Sequence, residues 1–172
     1  NTIDDQFSFL PDLPDSIGIA GPFVGVHDGA LIVAGGANFS DKPLIDGGAK
    51  VWHDEVFILQ PNHETWNTRF HLARPLAYGG AASTSKGIVI AGGSDSERDF
   101  ADVSLLSWNA HDKQLKQTDL PALPMPTSKC RAVAIGDRVY VLAGQSSQTP
   151  ANDLKKMWVM DLNAPTQQLH WA

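Results

Sequence analysis

The side chains in this sequence that could bind or transform a small molecule are few and widely spaced. Arg74 stands before Pro75, and Arg131 opens the apolar run Ala132-Val133-Ala134. A guanidinium at either place can take a carboxylate through two parallel hydrogen bonds, or it can bond loop carbonyls at a junction between units. Asn38 and Phe39 follow Gly35-Gly36-Ala37. An Asn there can both donate and accept, and a Phe can offer a stacking face; equally, the pair can shape and anchor a turn. Tyr78 can donate its hydroxyl or pack within a strand. Glu97, Arg98 and Asp99 form a charged tip that reads as a solvated loop. The six His residues show no close paired spacing of the kind zinc requires. No calcium loop, phosphate loop or Gly-x-Ser-x-Gly elbow occurs in the chain.

These residues belong to a 172-residue chain with 13 Lys+Arg against 19 Asp+Glu, a net charge of -6. The deficit of basic groups argues against nucleic acid and against an anionic membrane surface, both of which need a basic face. The apolar stretches, such as 30–36, are far too short to cross a bilayer, so membrane insertion is not expected. Cys130 is the single cysteine; it cannot form an internal disulfide, and its apolar surroundings read as a buried small hydrophobe. One cysteine leaves the compartment open between cytoplasm and periplasm. The opening Asn1-Thr2-Ile3-Asp4-Asp5 has neither the basic nor the apolar segment of a secretion signal.

What must position the candidates is a repeat. Residues 25–36, 82–93 and 133–145 share one pattern: a short apolar strand, a polar turn with Gly, a second apolar strand, then a pair of small residues. Gly35 and Gly92 are 57 positions apart, and Gly92 and Gly144 are 52 apart. A period of about 50 residues is that of a Kelch-type blade. Each unit continues with another strand, near 54–59, 102–106 and 157–162. A polar turn and a large apolar residue come next, with Trp66, Leu115 and Trp171 in that place. Pro-rich links follow at 73–75 and 120–124, and residues 9–14 look like the same link from a preceding unit. No stretch of ten residues carries a helical apolar period; segments 37–53 and 146–154 read as loops. The expected fold is all-β, a Kelch-type β-propeller with about three four-stranded blades. The expected boundaries are 1–17 for a link from a preceding blade, then blades over 18–74, 75–126 and 127–172. The strand ending in Gly-Gly is expected near the propeller axis. Propellers close with four to eight blades, so three blades amount to half of a six-bladed ring. Another segment or a second chain would supply the rest.

The stretch Gly18-Ile19-Ala20-Gly21-Pro22-Phe23-Val24-Gly25, followed by Leu31-Ile32-Val33-Ala34-Gly35-Gly36-Ala37-Asn38-Phe39, resembles the six-bladed Kelch-type sialic acid mutarotases, also called N-acetylneuraminate epimerases. The similarity continues through residues 74–79 and 90–93 into 134–141. The unit order is similar to that of a cyclically permuted branch of the family. The resemblance implies interconversion of the α and β anomers of N-acetylneuraminate. In that reaction the anomeric hydroxyl loses a proton while the ring oxygen gains one, which calls for a general acid/base and a cation for the sugar's carboxylate. No cofactor and no metal are needed. On this reading the sugar is the partner, and Arg74, Asn38, Phe39, Tyr78 and Arg131 are the candidates to hold it. The family's catalytic Glu lies in an Asn-Gly-Glu segment. No such tripeptide occurs in this sequence, so the catalytic residue stays unassigned, and activity of the chain on its own is not expected. The alternative is a non-catalytic Kelch module that binds a protein or carbohydrate, because a propeller implies no particular function.

Overall fold

Short runs of β-branched residues divided by Gly-bearing turns give a series of antiparallel hairpins. The computed structural model describes residues 10–142, 144–148 and 155–172; most of the 1–17 link and of the 146–154 loop therefore lies outside the described residues. Among them the chain is all β, without an α-helix. In the first unit β1 (Phe23–His27) turns through Asp28-Gly29, both at positive φ, into β2 (Ala30–Ala34). A two-residue ribbon follows, β3 (Ala37–Asn38) against β4 (Val51–Trp52), then β5 (Glu55–Leu59) and β6 (Asn67–His71). The sheet order is β1-β2-β5-β6. The second unit is β7 (Gly80–Thr84), β8 (Gly87–Ala91), β9 (Val103–Asn109) and β10 (Gln114–Leu120), again four strands in sequence order. The third has β11 (Arg131–Ile135), β12 (Arg138–Leu142) and β13 (Met157–Asp161). In the place of a fourth strand, Ala172 exchanges two backbone hydrogen bonds with Val159 at 3.0 Å each. These are blades of a β-propeller, and they do not close into a ring.

Burial follows the two-residue period of a strand. On β8, Ile88 and Ile90 point into a core shared with the first sheet, beside Phe23, Ile32, Ile58 and Trp108. Their neighbours Val89 and Ala91 point the other way, onto Val139, Val141, Trp158 and Met160 of the third sheet. The middle sheet is thus covered on both faces. The terminal inner strands are covered on one, leaving Val24, Val26, Val133 and Ile135 exposed. Trp66 and Trp171 do the same job 105 residues apart: each indole N–H donates to a carbonyl of the Pro-rich link before its own blade, Pro11 at 3.1 Å and Pro121 at 2.8 Å.

The first strands of the units, β1, β7 and β11, pack against one another in that order. The innermost position therefore belongs to the strand before the one that ends in Gly-Gly, which differs from the sequence expectation. The glycines have another role. Gly35 and Gly92 lie at φ +62° and +64°, and a Cβ on either would fall on the carbonyl oxygen of the next link, Leu76 or Thr127. Gly36 and Gly93 then donate to those same carbonyls at 2.9 and 2.8 Å. The small pair is where one blade receives the backbone of the next. Both such junctions lie at one end of the sheets, here the upper end; the β1–β2, β7–β8 and β11–β12 turns lie at the lower.

Candidate functional site

A backbone motif repeats three times at the upper end. Bridges Ala20–Ala37, Ala77–Ser94 and Ser128–Gln145 each fix the residue after a Gly pair, or its counterpart, against the link leading to an inner strand. The residue following each bridge is left-handed: Gly21 at φ +64°, Tyr78 at +64° and Lys129 at +53°. Tyr78 N–H donates to Gly21 O at 2.8 Å, and Lys129 N–H donates to Tyr78 O at 2.5 Å, so the three form a hydrogen-bonded arc above the inner strands. Left-handed backbone costs an L-residue about 1–2 kcal/mol. Such residues persist where the surroundings over-determine them, and they gather at binding sites. The slot carries no side chain in the first unit, a phenol in the second and an ammonium in the third.

Around Tyr78 a cluster forms that no local sequence pattern displays. Lys50 Nζ lies 4.9 Å from the Tyr78 ring centroid, 5.5 Å from Phe39 and 5.7 Å from Trp52, and it donates to the Tyr78 hydroxyl at 3.0 Å. The β3–β4 ribbon makes this possible. The 37–53 segment, read as a loop, folds back so that Ala37 pairs with Trp52 and Asn38 with Val51, which sets Lys50 beside the Gly pair. Lys50 and Tyr78 together wall two adjoining hollows. One also includes Ile17, Asn38 and Phe39; the other includes Trp52, Ser94, Ser128 and Lys129.

Asn38 is buried beneath this cluster. His53 Nε2 donates to its Oδ1 at 2.8 Å, and its Nδ2 donates to Gly18 O at 3.3 Å and to the Asp15 carboxylate at 3.4 Å. Its polar atoms are engaged in holding the leading link, the ribbon and His53 together. Phe39 is half-buried, with its ring toward Lys50. Three of the expected site residues, Asn38, Phe39 and Tyr78, thus come together.

The two arginines stand elsewhere. Arg74 Nη1 pairs with Asp102 at 3.1 Å, and its guanidinium lies 4.7 Å from the Phe100 ring, which Arg98 approaches at 4.9 Å. It faces a groove with Ser104, Gln117 and Asp119, between the first and second blades. Arg131 bonds Cys130 O at 3.1 Å and shares the exposed face of β11 with Val133 and Ile135. The charged tip is self-bonded. Asp95 accepts from the Glu97 and Arg98 amides at 2.8 and 2.9 Å. Partial burial pushes its carboxyl up, but those two bonds and the Arg98 charge outweigh that and hold it below the usual carboxylate range. Cys130 is fully buried, and burial pushes its thiol up. Among the described residues no three His, Cys, Asp or Glu gather closely enough to hold a metal ion, and no helix is long and apolar enough to cross a membrane.

Lys50, Trp52 and Lys129 are the residues that sequence reasoning passed over. For Lys129 a signal existed: superposing the three units places it in the slot of Gly21 and Tyr78, two residues before an inner strand. For Lys50 there was none, because two of its three ring partners lie 11 residues before it and 28 after it.

Blades ordered around packed inner strands, with rings gathered on Lys50 at one end, define an all-β protein of propeller type. The family is shown by comparison: the model of the N-acetylneuraminate epimerase family matches residues 10–116, more than half of the chain, and the chain belongs to that family. It is similar to the N-acetylneuraminate epimerase of Vibrio cholerae, 34% identical over 102 residues, covering 54% of this chain and 26% of the relative. It is likewise similar to that of Brucella suis, 34% identical over 117 residues (60% and 30%), and that of Haemophilus influenzae, 31% identical over 119 (60% and 31%). The matched part of the chain spans a quarter to a third of the length of these curated relatives.

Proposed function

We propose that this chain forms part of a six-bladed Kelch-type sialic acid mutarotase. Its blades are 18–74, 75–126 and 127–172, preceded by a link over 1–17, and the remaining blades come from another segment or a second chain. The observation that carries the reading is a coincidence of place: every member of the cluster of Asn38, Phe39, Lys50, Trp52 and Tyr78 lies within the 10–116 stretch that matches the family. N-acetylneuraminate is an acidic sugar with an amide and several hydroxyls. A mouth of stacking rings, a phenol and ammonium groups suits it. Phe39 and Tyr78 supply ring faces and a hydroxyl, and Asn38 holds the floor. Arg74 and Arg131 join as carboxylate ligands only where the substrate draws them from Asp102 and from Cys130 O. The reaction opens the sugar ring: a base takes the anomeric proton while an acid protonates the ring oxygen, and reclosure on the other face gives the other anomer. No Asn-Gly-Glu segment occurs in these 172 residues, so the acid/base comes from the remaining blades.

The test is saturation-transfer NMR of the chain with N-acetylneuraminate, followed by exchange spectroscopy of the two anomers. Saturation of the sugar without accelerated exchange is expected from this chain alone, and accelerated exchange once the missing blades are supplied. No saturation transfer to the sugar sinks the proposal. The second reading, a Kelch module that binds without chemistry, is favoured by the missing tripeptide; binding that persists without exchange in the completed ring selects it.

A further inference from the structure

We infer that Lys50 is the cation that takes the substrate's carboxylate; this rests on the sialic acid reading above and goes beyond it by naming the residue. Among the described residues no carboxylate lies within ion-pair distance of Lys50, and the Tyr78 hydroxyl is its one hydrogen-bond acceptor. An ammonium carries three N–H donors, so two are left over. Three of the other basic groups at this end are already engaged: Arg74 with Asp102, Arg98 and Arg74 on Phe100, and Lys129 with the Gln145 side-chain oxygen at 2.9 Å. Lys42 in the same hollow, and Lys113 and Lys116 elsewhere, have no such partner but are exposed, whereas Lys50 is half-buried. Three rings strip water from one side of its charge and fix the long side chain in one place. Both effects raise what an incoming anion gains: the entropy of ordering the side chain is already spent, and the field is less screened. The surroundings suit a small organic acid. Trp52, one of the three rings, buries its indole N–H without an acceptor. Neutral polar and aromatic groups able to hold the uncharged part of a sugar acid stand in both hollows, Asn38 and Phe39 in one and Trp52, Ser94 and Ser128 in the other; Lys42 adds positive charge to the first and Lys129 and Arg98 to the second, whose Asp95 and Asp99 carboxylates are already taken by the Glu97, Arg98 and Ser147 amides.

The experiment measures affinity of the 172-residue chain for N-acetylneuraminate and for its uncharged methyl ester, in the wild type, Lys50→Gln and Lys50→Arg. A charge-assisted bond lost without other damage weakens binding of the acid by about tenfold or more. The expected pattern is that loss for Lys50→Gln with ester binding unchanged, and substantial recovery in Lys50→Arg. Lys50→Gln binding the acid like the wild type overturns the inference and leaves the sialic acid reading intact. Equal loss of acid and ester in Lys50→Gln overturns it too, because the cage is then only structural. A wild type that binds neither compound overturns both. Lysine labelled at Cε in the unsubstituted chain reads the same interaction without dependence on a variant that folds. The Lys50 resonance should move with the acid and stay still with the ester, and the same movement with both, or none with either, overturns the inference.

Discussion

The two ends of the sheets use polar groups in opposite ways. At the lower end they are consumed by assembly. Asp28 of the first blade accepts from Ala110 N–H of the second at 2.7 Å. Asp137 of the third accepts from the Ser85 amide at 2.9 Å and the Ser85 hydroxyl at 2.8 Å, and Asp161 takes Arg138 at 3.1 Å. Each of these three carboxylates joins neighbouring turns or strands and has little left to offer a ligand. At the upper end the backbone joins the blades through the Gly pairs and the left-handed arc, with Arg74–Asp102 and Ser147–Asp99 beside it, and the side chains of Lys50 and Tyr78 are satisfied only by each other and by rings. A backbone arc whose hydrogen bonds need no particular side chain is free to vary what it displays, and the Gly21, Tyr78 and Lys129 slot does so. That division is the usual one between a rigid scaffold and the loops it carries.

The largest effect should come from testing whether the upper end is held by backbone contact. Gly92 and Gly136 have nearly the same φ, +64° and +59°, but a Cβ on Gly92 strikes the Thr127 carbonyl while one on Gly136 meets nothing within 4 Å. Gly136→Ala should cost only the left-handed conformation, about 1 kcal/mol. Gly92→Ala must in addition displace the link it receives, for a total of about 3 kcal/mol or more. Urea unfolding of the two variants decides it, and equal losses would remove the distinction between the two ends.

Next in size is Tyr78→Phe. It keeps the ring over Lys50 and removes the one hydrogen bond to the ammonium. A loss of about 1 kcal/mol in stability is expected, read from the same unfolding curves; a loss near zero would mean that the rings alone hold Lys50. Smaller again is Arg74→Gln. The pair with Asp102 is half-exposed, so its removal together with the contact on Phe100 should cost about 0.5–1 kcal/mol, shrinking in high salt. A loss that does not respond to salt would assign the effect to the stacking on Phe100.

The scaffold was legible in the sequence because it is written locally and three times. A Gly-bearing turn between two apolar strands specifies a hairpin, and repetition at a spacing of about 50 residues specifies blades. Even the Trp at the end of a unit could be assigned a joining role, since Trp66 and Trp171 occupy one place in the repeat. Of the candidate site, Asn38, Phe39 and Tyr78 were reachable from their positions beside Gly pairs and strand starts. Lys50 was not, because what distinguishes it from other lysines is three rings brought from Phe39, Trp52 and Tyr78 by a ribbon of two-residue strands. Strands that short carry no periodicity to read. The same limit hid the location of the inner strand: that Gly-Gly receives the next blade's link, rather than facing the axis, depends on contacts some 40 residues away.

The smallest predicted effect tests the lower end by pH. The Asp137 carboxyl is held below its usual range by the Ser85 hydroxyl and then by the Ser85 amide, both of which donate to the charged form. A carboxyl whose value is lower in the folded chain than in the unfolded one adds stability above its unfolded value, and that stability is lost as pH falls through the folded value. The window is therefore acidic, below about pH 4, and neutral solution should show the full contribution. Asp161 responds in the same direction, through the Asn163 amide and Arg138, so wild-type stability should fall on acidification for more than one reason. Asp137→Asn isolates one of them. The difference in melting temperature between wild type and variant should be constant from pH 7 to about pH 5 and shrink below it. A difference that stays level through that window would mean that Ser85 gains as much from an amide oxygen as from a carboxylate. The lower end would then be joined by hydrogen-bond geometry, as the upper end is joined by its backbone, and not by charge.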